Sequence, residues 1–266
     1  MTQGFLLFAY NNEAIDYGAM ALWSARRLGR WLDKPVSLVT DQATEYNLDY
    51  SRPGWSESFD QVIIRESATQ QTKRYIDKAL TFKNLTRADA YDLSPYDETL
   101  VIDTDIAIQS THLNRLWGHQ EDLVVMDRST DLFGRHDPEF TWIGDASVKF
   151  YWATQFFFRK GPYAEQFFRE CQRVRAQYDA YRYLYNLPGG PVRNDYVWSI
   201  VVHTLGHSVA TIPWNTYYSP SSDRIVEMND RAVRVLGKDL LCRLEGVDLH
   251  IMNKFDLMQA VDKELA

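Results

Sequence analysis

Cysteine is scarce: the 266-residue chain has two, Cys171 and Cys242, and neither stands in a CxxC or a Cys/His cluster. That argues against a disulfide framework and a structural zinc site, and it makes a reducing cytoplasm the expected surroundings. Long hydrophobic runs are missing as well, and none approaches the roughly 18 apolar residues that a membrane span needs. The N-terminal stretch has no basic n-region, and its apolar run Phe5-Leu6-Leu7-Phe8 is too short for a signal peptide, so it reads as a first strand. Positive charge is not in excess: a net charge of -7 argues against a protein that coats DNA or an anionic membrane. Repeats, low-complexity tracts and linkers are absent, and the length suits one large α/β domain over residues 1–266.

What is present is an ordinary core-forming composition, 45% apolar and 24% charged. Residues 4–10 are a continuous apolar run, as expected of a strand buried on both faces. Asn11 and Asn12 make a turn, and Ile15, Ala19, Leu22 and Trp23 predict a helix over 14–32. Strands follow at 36–39 and 61–64. The spacing of Ile76, Ala79, Leu80, Phe82 and Leu85 predicts a helix over 74–91, and 99–102 is a fourth strand. Alternation of this kind implies a mostly parallel central sheet flanked by helices. Beyond it, 123–126 reads as a strand, 127–148 as a long polar loop and 150–158 as an aromatic strand. Helices are expected at 162–184, 195–205 and 254–265, with short strands at 209–212, 232–236 and 247–252.

The chemistry centres on Asp103-Thr104-Asp105. A bare DxD is weak evidence, since aspartate content alone gives roughly two by chance. The context strengthens it: the pair follows a hydrophobic strand, and open α/β sheets bind ligands at their carboxyl edges. The apolar Ile106-Ala107-Ile108 follows at once and pins the turn from the other side. Two carboxylates on one turn offer hard oxygen ligands to Mg²⁺ or Mn²⁺, with a diphosphate to complete the shell. The competing account is a pair of turn-forming aspartates. Arg193-Asn194-Asp195-Tyr196 opens a helix after Pro-Gly-Gly-Pro, where Asn194 or Asp195 can serve as the cap.

With these motifs on the chain, the sequence resembles glycosyltransferases of the GT-A fold, a single Rossmann-like domain. The resemblance implies a nucleotide-binding half over 1–105 and an acceptor half over 106–266. It resembles a retaining branch that includes glycogenin-like and lipopolysaccharide galactosyltransferases. In that branch a late histidine is a third metal ligand and a nearby lysine binds the diphosphate, and Asp248-Leu-His250-Ile-Met-Asn-Lys254 looks like a shortened form of that motif. The branch places its lysine two residues further on and often follows it with Pro-Trp, and this chain does neither. The resemblance implies Asp103, Asp105 and His250 as metal ligands, with Thr104 and Lys254 at the donor. It implies Asp195 as the catalytic carboxylate and Gln155, in Trp152-Ala-Thr-Gln155, as a partner of the donor hydroxyls. By family position Ala9, Tyr10, Asn11 and Asn12 meet base and ribose, Asp41 meets the base edge, and Lys83 and Arg87 reach the donor.

The implied reaction moves a sugar from a nucleotide-sugar donor, a UDP-sugar first of all, to a hydroxyl. A sugar-phosphate nucleotidylyltransferase is the alternative class, but such enzymes carry a Gly-rich basic loop where this chain has Tyr10-Asn-Asn-Glu13. A non-catalytic binding protein is a third. Glycans, proteins, small metabolites and modified bases in phage DNA are all open as acceptors, the last placing the protein in a host cytoplasm. DNA stays in play because residues 159–193 carry seven basic and three acidic residues, with Tyr178, Tyr181, Tyr183 and Tyr185 among them. Aromatics interleaved with arginine can stack bases that have left the duplex.

Overall fold

The structure, a computed structural model, describes residues 1–66, 71–76, 78–135, 140–145, 148–206 and 209–266. The strands are β1 (Gln3–Phe8), β2 (Val36–Thr40), β3 (Gln61–Ile64), β4 (Gln71–Tyr75), β5 (Lys78–Phe82), β6 (Glu98–Ile102), β7 (Ile106–Ala107), β8 (Leu123–Met126) and β9 (Ser129–Asp131). They continue as β10 (Trp142–Ile143), β11 (Val148–Lys149), β12 (Trp152–Arg159), β13 (Ala210–Thr211), β14 (Thr216–Ser219), β15 (Arg224–Met228), β16 (Ala232–Leu236), β17 (Leu241–Glu245) and β18 (Leu249–Ile251). The α-helices are α1 (Tyr17–Leu32), α2 (Gln42–Ser51), α3 (Ala90–Leu93), α4 (Pro162–Ala176), α5 (Tyr178–Leu184), α6 (Asn194–Thr204) and α7 (Lys254–Leu265).

A seven-stranded sheet in the order β13-β8-β12-β6-β1-β2-β3 forms the centre. Its pairings are parallel except at β12, which runs antiparallel to both β6 and β8. The runs Phe5–Phe8, Leu100–Ile102 and Phe156–Phe158 are buried on both faces, which is why they read as unbroken apolar segments. A smaller sheet, β7-β18-β14-β9, stands beside it. Helix α1 lies between two hydrophobic clusters. Leu22, Ala25 and Leu28 face the main sheet, while Ala19, Met20 and Trp23 join α7 and the smaller sheet. No helix among the described residues is long and apolar enough to cross a membrane.

The main departure from the sequence reading lies before β6. The helix expected over 74–91 is the β4–β5 hairpin, then a 3-10 turn at Asn84–Asp89 and the single turn α3. Over so short a window Leu80 and Phe82 fit the period of two of a strand as well as the wider set fits 3.6. The would-be stripe is not buried as one face: Leu80 is buried, Phe82 half-buried and Ile76 half-exposed. The helix expected over 162–184 breaks at Gln177, which closes α4 and opens α5. The expected loop at 127–148 contains β9 and the β10–β11 hairpin, with 136–139 and 146–147 outside the described residues.

Glu98 anchors the start of β6, the strand that leads to the aspartates. Its buried carboxylate accepts from Gly118 N (3.0 Å), Gln3 Nε2 (2.8 Å) and Arg159 Nε (3.0 Å). Burial works to raise its pKa, and these donors outweigh burial and hold it below the ordinary value. A folded pKa below the unfolded one, about 4.3, means the stabilisation is complete above that pH and is lost as pH falls through the folded value. Glu98→Gln should therefore cost about 1–3 kcal/mol at pH 7. The difference in melting temperature from wild type should close as pH drops below about 4, read by thermal melts across a pH series.

Candidate metal centre

The carboxyl end of β6 is where the candidate metal ligands converge. Asp103 N bonds to Thr154 O of β12 at 2.8 Å, and Ile106 N closes the turn on Asp103 O at 3.3 Å. The chain then enters β7, which pairs antiparallel with β18 so that His250 lies opposite Ile106. Ile251 N also bonds to Asp105 O at 2.9 Å. Backbone pairing thus delivers the histidine to the aspartates from the far end of the chain. One ligand atom each of Asp103, Asp105 and His250 lie within 4.8 Å of one another. An ion about 2.1–2.2 Å from each donor holds opposite ligands a little over 4 Å apart, so the spacing suits one divalent cation. The bonding pattern fits as well: among the described residues Asp105 Oδ1 and His250 Nδ1 are buried without a hydrogen-bond partner. His250 Nε2 stands 3.4 Å from Asp105 Oδ1, an ion-pair distance without hydrogen-bond geometry. The two carboxylates suit Mn²⁺ or Mg²⁺, and the imidazole favours Mn²⁺ of the two.

Two protein cations attend these acids. Lys254 Nζ donates to Asp105 Oδ2, and Arg87 donates to Asp103 Oδ1 while its other nitrogen holds Ala153 O at 2.8 Å. Burial works to raise Asp105, but the Lys254 ammonium, with His250 beside it, prevails and holds it well below the usual carboxylate range. Asp103 goes the other way: burial pushes it up, Arg87 offsets only part, and the neighbouring Asp105 adds to the rise. For Lys254 the desolvation that would lower its pKa is overcome by Asp105, and the ammonium is raised. The short spacer of the His-Lys segment has a structural reason. β18 ends at Ile251, Asn253 caps α7 by accepting from Asp256 N, and Lys254 is the first residue of that helix.

The site opens into a cleft of about 490 Å³, a size that takes a small organic ligand. Asp103, Thr104, Asp105, His250 and Lys254 border it, as do Tyr10, Lys83, Arg87 and Asp195. Tyr10 accepts from Thr86 Oγ1 at 2.8 Å, and burial pushes its phenol up to about 12. Asp195 is not the helix cap. Arg193 holds that position, and Asp195 Oδ1 instead accepts from Ala153 N of β12 at 2.9 Å.

Other expected residues stand behind the cleft wall. Ala9 is bonded through its backbone to Val39 O and Thr40 Oγ1. Asn11 takes Gly18 N at 2.8 Å, and Asn12 takes Ala14 N and Ile15 N, so both organise the entry to α1. Asp41 caps α2 through Thr44 N and pairs with Lys83 at 2.9 Å, which occupies both of its oxygens. Gln155 is buried on β12 opposite Ile102. Lys83 and Arg87 do reach the cleft, but from the end of a hairpin and a 3-10 turn rather than from one helix.

Two tyrosines at the site escaped the sequence reading. Tyr75, in the hairpin misread as a helix, donates to Met252 O and accepts from Lys254 N at 2.7 Å. Tyr17 borders the cleft from the first turn of α1. The only signal either gave was an aromatic beside a turn. In residues 159–193, meanwhile, each of the six arginines faces a carboxylate, the partners being Glu98, Glu165, Glu170, Asp89, Asp179 and Asp195.

No protein-family model matches the chain, and no curated protein matches it by sequence. Solved structures do match. The galactosyltransferase LgtC, in complex with donor and acceptor sugar analogues, aligns at a TM-score of 0.51 and 13% identity over 78% of this chain and 72% of that one. The glycosyltransferase GlyE of Streptococcus pneumoniae TIGR4 aligns at 0.49 and 12% over 79% of this chain, which spans 45% of GlyE. A glucose-1-phosphate thymidylyltransferase assignment from Bacillus anthracis aligns at 0.47 and 9%, over 82% and 87%. At such identity the likeness to LgtC establishes the fold, a GT-A-type α/β fold with its mostly parallel sheet.

Asp105→Asn and His250→Ala should each weaken Mn²⁺ binding, measured by isothermal titration calorimetry. The loss should exceed the roughly 10- to 100-fold that follows removal of an outer-shell partner. Unchanged Mn²⁺ affinity in both would take these residues out of the metal centre.

Proposed function

We propose that the chain is a metal-dependent glycosyltransferase that moves a hexose or pentose from a nucleoside-diphosphate donor, a UDP-sugar first of all, to a hydroxyl acceptor. The observation that carries this reading is the convergence of Asp103, Asp105 and His250 at the carboxyl edge of the sheet, at the wall of a ligand-sized cleft. In the proposal residues 1–266 act as one domain, with 1–105 holding the nucleotide and 106–266 the acceptor and the metal segment, in a cytoplasmic setting.

Bound Mn²⁺ or Mg²⁺ supplies Lewis-acid stabilisation of the diphosphate leaving group. Asp103, Asp105 and His250 fix that charge in place, and Lys254 holds phosphoryl oxygens with its ammonium. Lys83 and Arg87 add cations along the cleft, Thr104 and Tyr10 line it, and Ala9, Asn11 and Asp41 shape the nucleotide end from behind. Gln155 supports the β12 wall next to the sugar. Asp195, held through Oδ1 by Ala153 N and with Oδ2 3.7 Å from the Arg193 guanidinium, borders the cleft where it would orient the acceptor hydroxyl or answer charge developing at the anomeric carbon. Retention of configuration is proposed from the resemblance of the His-Lys segment.

Hydroxymethylated DNA gains no support as acceptor from the side chains. The arginines of residues 159–193 are engaged with carboxylates, so the stretch is not an unpaired basic face. A glycan or small-molecule hydroxyl is the acceptor reading those pairs favour. The nucleotidylyltransferase alternative is disfavoured by the turn after β1, where Asn11 and Asn12 are committed to capping contacts and no arginine or glycine stands ready for a triphosphate.

Incubated with Mn²⁺ and a panel of nucleotide sugars, the protein should slowly hydrolyse one of them, and EDTA should stop it. Asp195→Asn should lower turnover by about 100-fold or more with little change in melting temperature. EDTA-insensitive hydrolysis would remove the metal from the reaction. Release of a nucleoside triphosphate from nucleotide sugar and pyrophosphate would establish the alternative class.

A further inference from the structure

Tyr17 is the first residue of α1, and it borders the cleft beside the metal centre. Its hydroxyl oxygen is buried and has no hydrogen-bond partner among the described residues. Burial pushes its phenol pKa up, so it stays a proton donor, and it shares the cleft lining with Lys254, Asp105, Tyr75 and Asp103. A phenylalanine would fill the same space without leaving a desolvated hydroxyl unpaired, so this hydroxyl calls for a partner that arrives from outside the chain.

The neighbouring groups narrow what that partner is. Lys254 Nζ can only donate, and it is already placed on Asp105 Oδ2. Asp105 Oδ1 faces His250. The Tyr75 hydroxyl both donates, to Met252 O, and accepts, from Lys254 N. The N–H groups of the α1 entry are also engaged, Ala19 N by Asp16 at 2.9 Å and Gly18 N by Asn11 at 2.8 Å. What α1 offers the cleft is therefore a phenol proton, next to an ammonium and a metal centre. The matching ligand atom is an anionic oxygen.

We propose that the Tyr17 hydroxyl donates a hydrogen bond to a phosphoryl oxygen of the donor's diphosphate, beside Lys254, and so contacts the leaving group directly. This rests on the glycosyltransferase reading and assigns one more binding residue to it. The contact is charge-assisted, forms only with the diphosphate, and leaves base and ribose recognition untouched.

The test is calorimetric titration of wild type and Tyr17→Phe in Mn²⁺, with UDP first and then GDP, ADP, CDP and dTDP, and with the matching nucleoside. The variant should lose about tenfold or more in affinity for the preferred diphosphate. Its affinity for the nucleoside should be unchanged, and it should melt no lower than wild type. Equal diphosphate affinity in the two proteins overturns the proposal. A parallel loss for diphosphate and nucleoside also overturns it, because that marks a distorted cleft. A wild type that binds none of the diphosphates overturns the glycosyltransferase reading itself, and Tyr17 goes with it.

Discussion

Two carboxylates and an imidazole share a space under 5 Å across at a largely buried sheet edge, and carboxylates placed that close need compensating charge. Much of the surrounding structure supplies it. Arg87 arrives on a 3-10 turn, Lys254 on the first residue of α7, and His250 on a strand paired to the one that leaves the aspartates. The two acids and two protein cations already balance. An ion alone would add two positive charges to that balance, and a diphosphate alone would add negative ones. The pair together disturbs it least, so in the proposed reaction each of metal and donor strengthens the binding of the other.

The hairpin over residues 71–82 belongs to the same arrangement. Tyr75 ties it to Met252 and Lys254, and Asn12 Nδ2 bonds to Thr81 O at 2.9 Å. The strand pair is therefore fastened at its far end to the metal segment and at its near end to the turn after β1. Lys254 is placed through this fastening as well as through its own helix.

The parts of the fold legible in the sequence were those set by local pattern. The apolar runs of β1, β6 and β12 and the periodicity of α1 and α7 state their burial directly. Asp103 and Asp105 were readable because their turn lies between two apolar stretches. The hairpin was not readable, since Leu80 and Phe82 fit a strand face while Ile76, Ala79 and Leu80 fit a helix face, and only tertiary burial decides between them. Asp41 shows another limit: an acid after a strand looks like a ligand group, but here helix capping and Lys83 use both oxygens. The charge sum over residues 159–193 misled for a similar reason. Arg159 and Arg175 are answered by Glu98 and Asp89, which come from outside the stretch. His250 was legible through family resemblance, because no local pattern reveals that β18 will pair with β7.

The reversed strand β12 has a wider consequence. In a wholly parallel sheet every strand offers its exit to the ligand edge, so each site residue is followed by a crossover that must also pack. Because β12 runs the other way, its entry at Trp152, Ala153 and Thr154 lies against the exit of β6. The cleft is thus framed by one strand that is leaving and one that is arriving. Segments upstream of β12 can change in length or composition without passing through the aspartate turn. Such a fold separates two inherited traits: the aspartate turn can stay fixed while the wall facing it is rebuilt, which gives one scaffold room to hold many ligands.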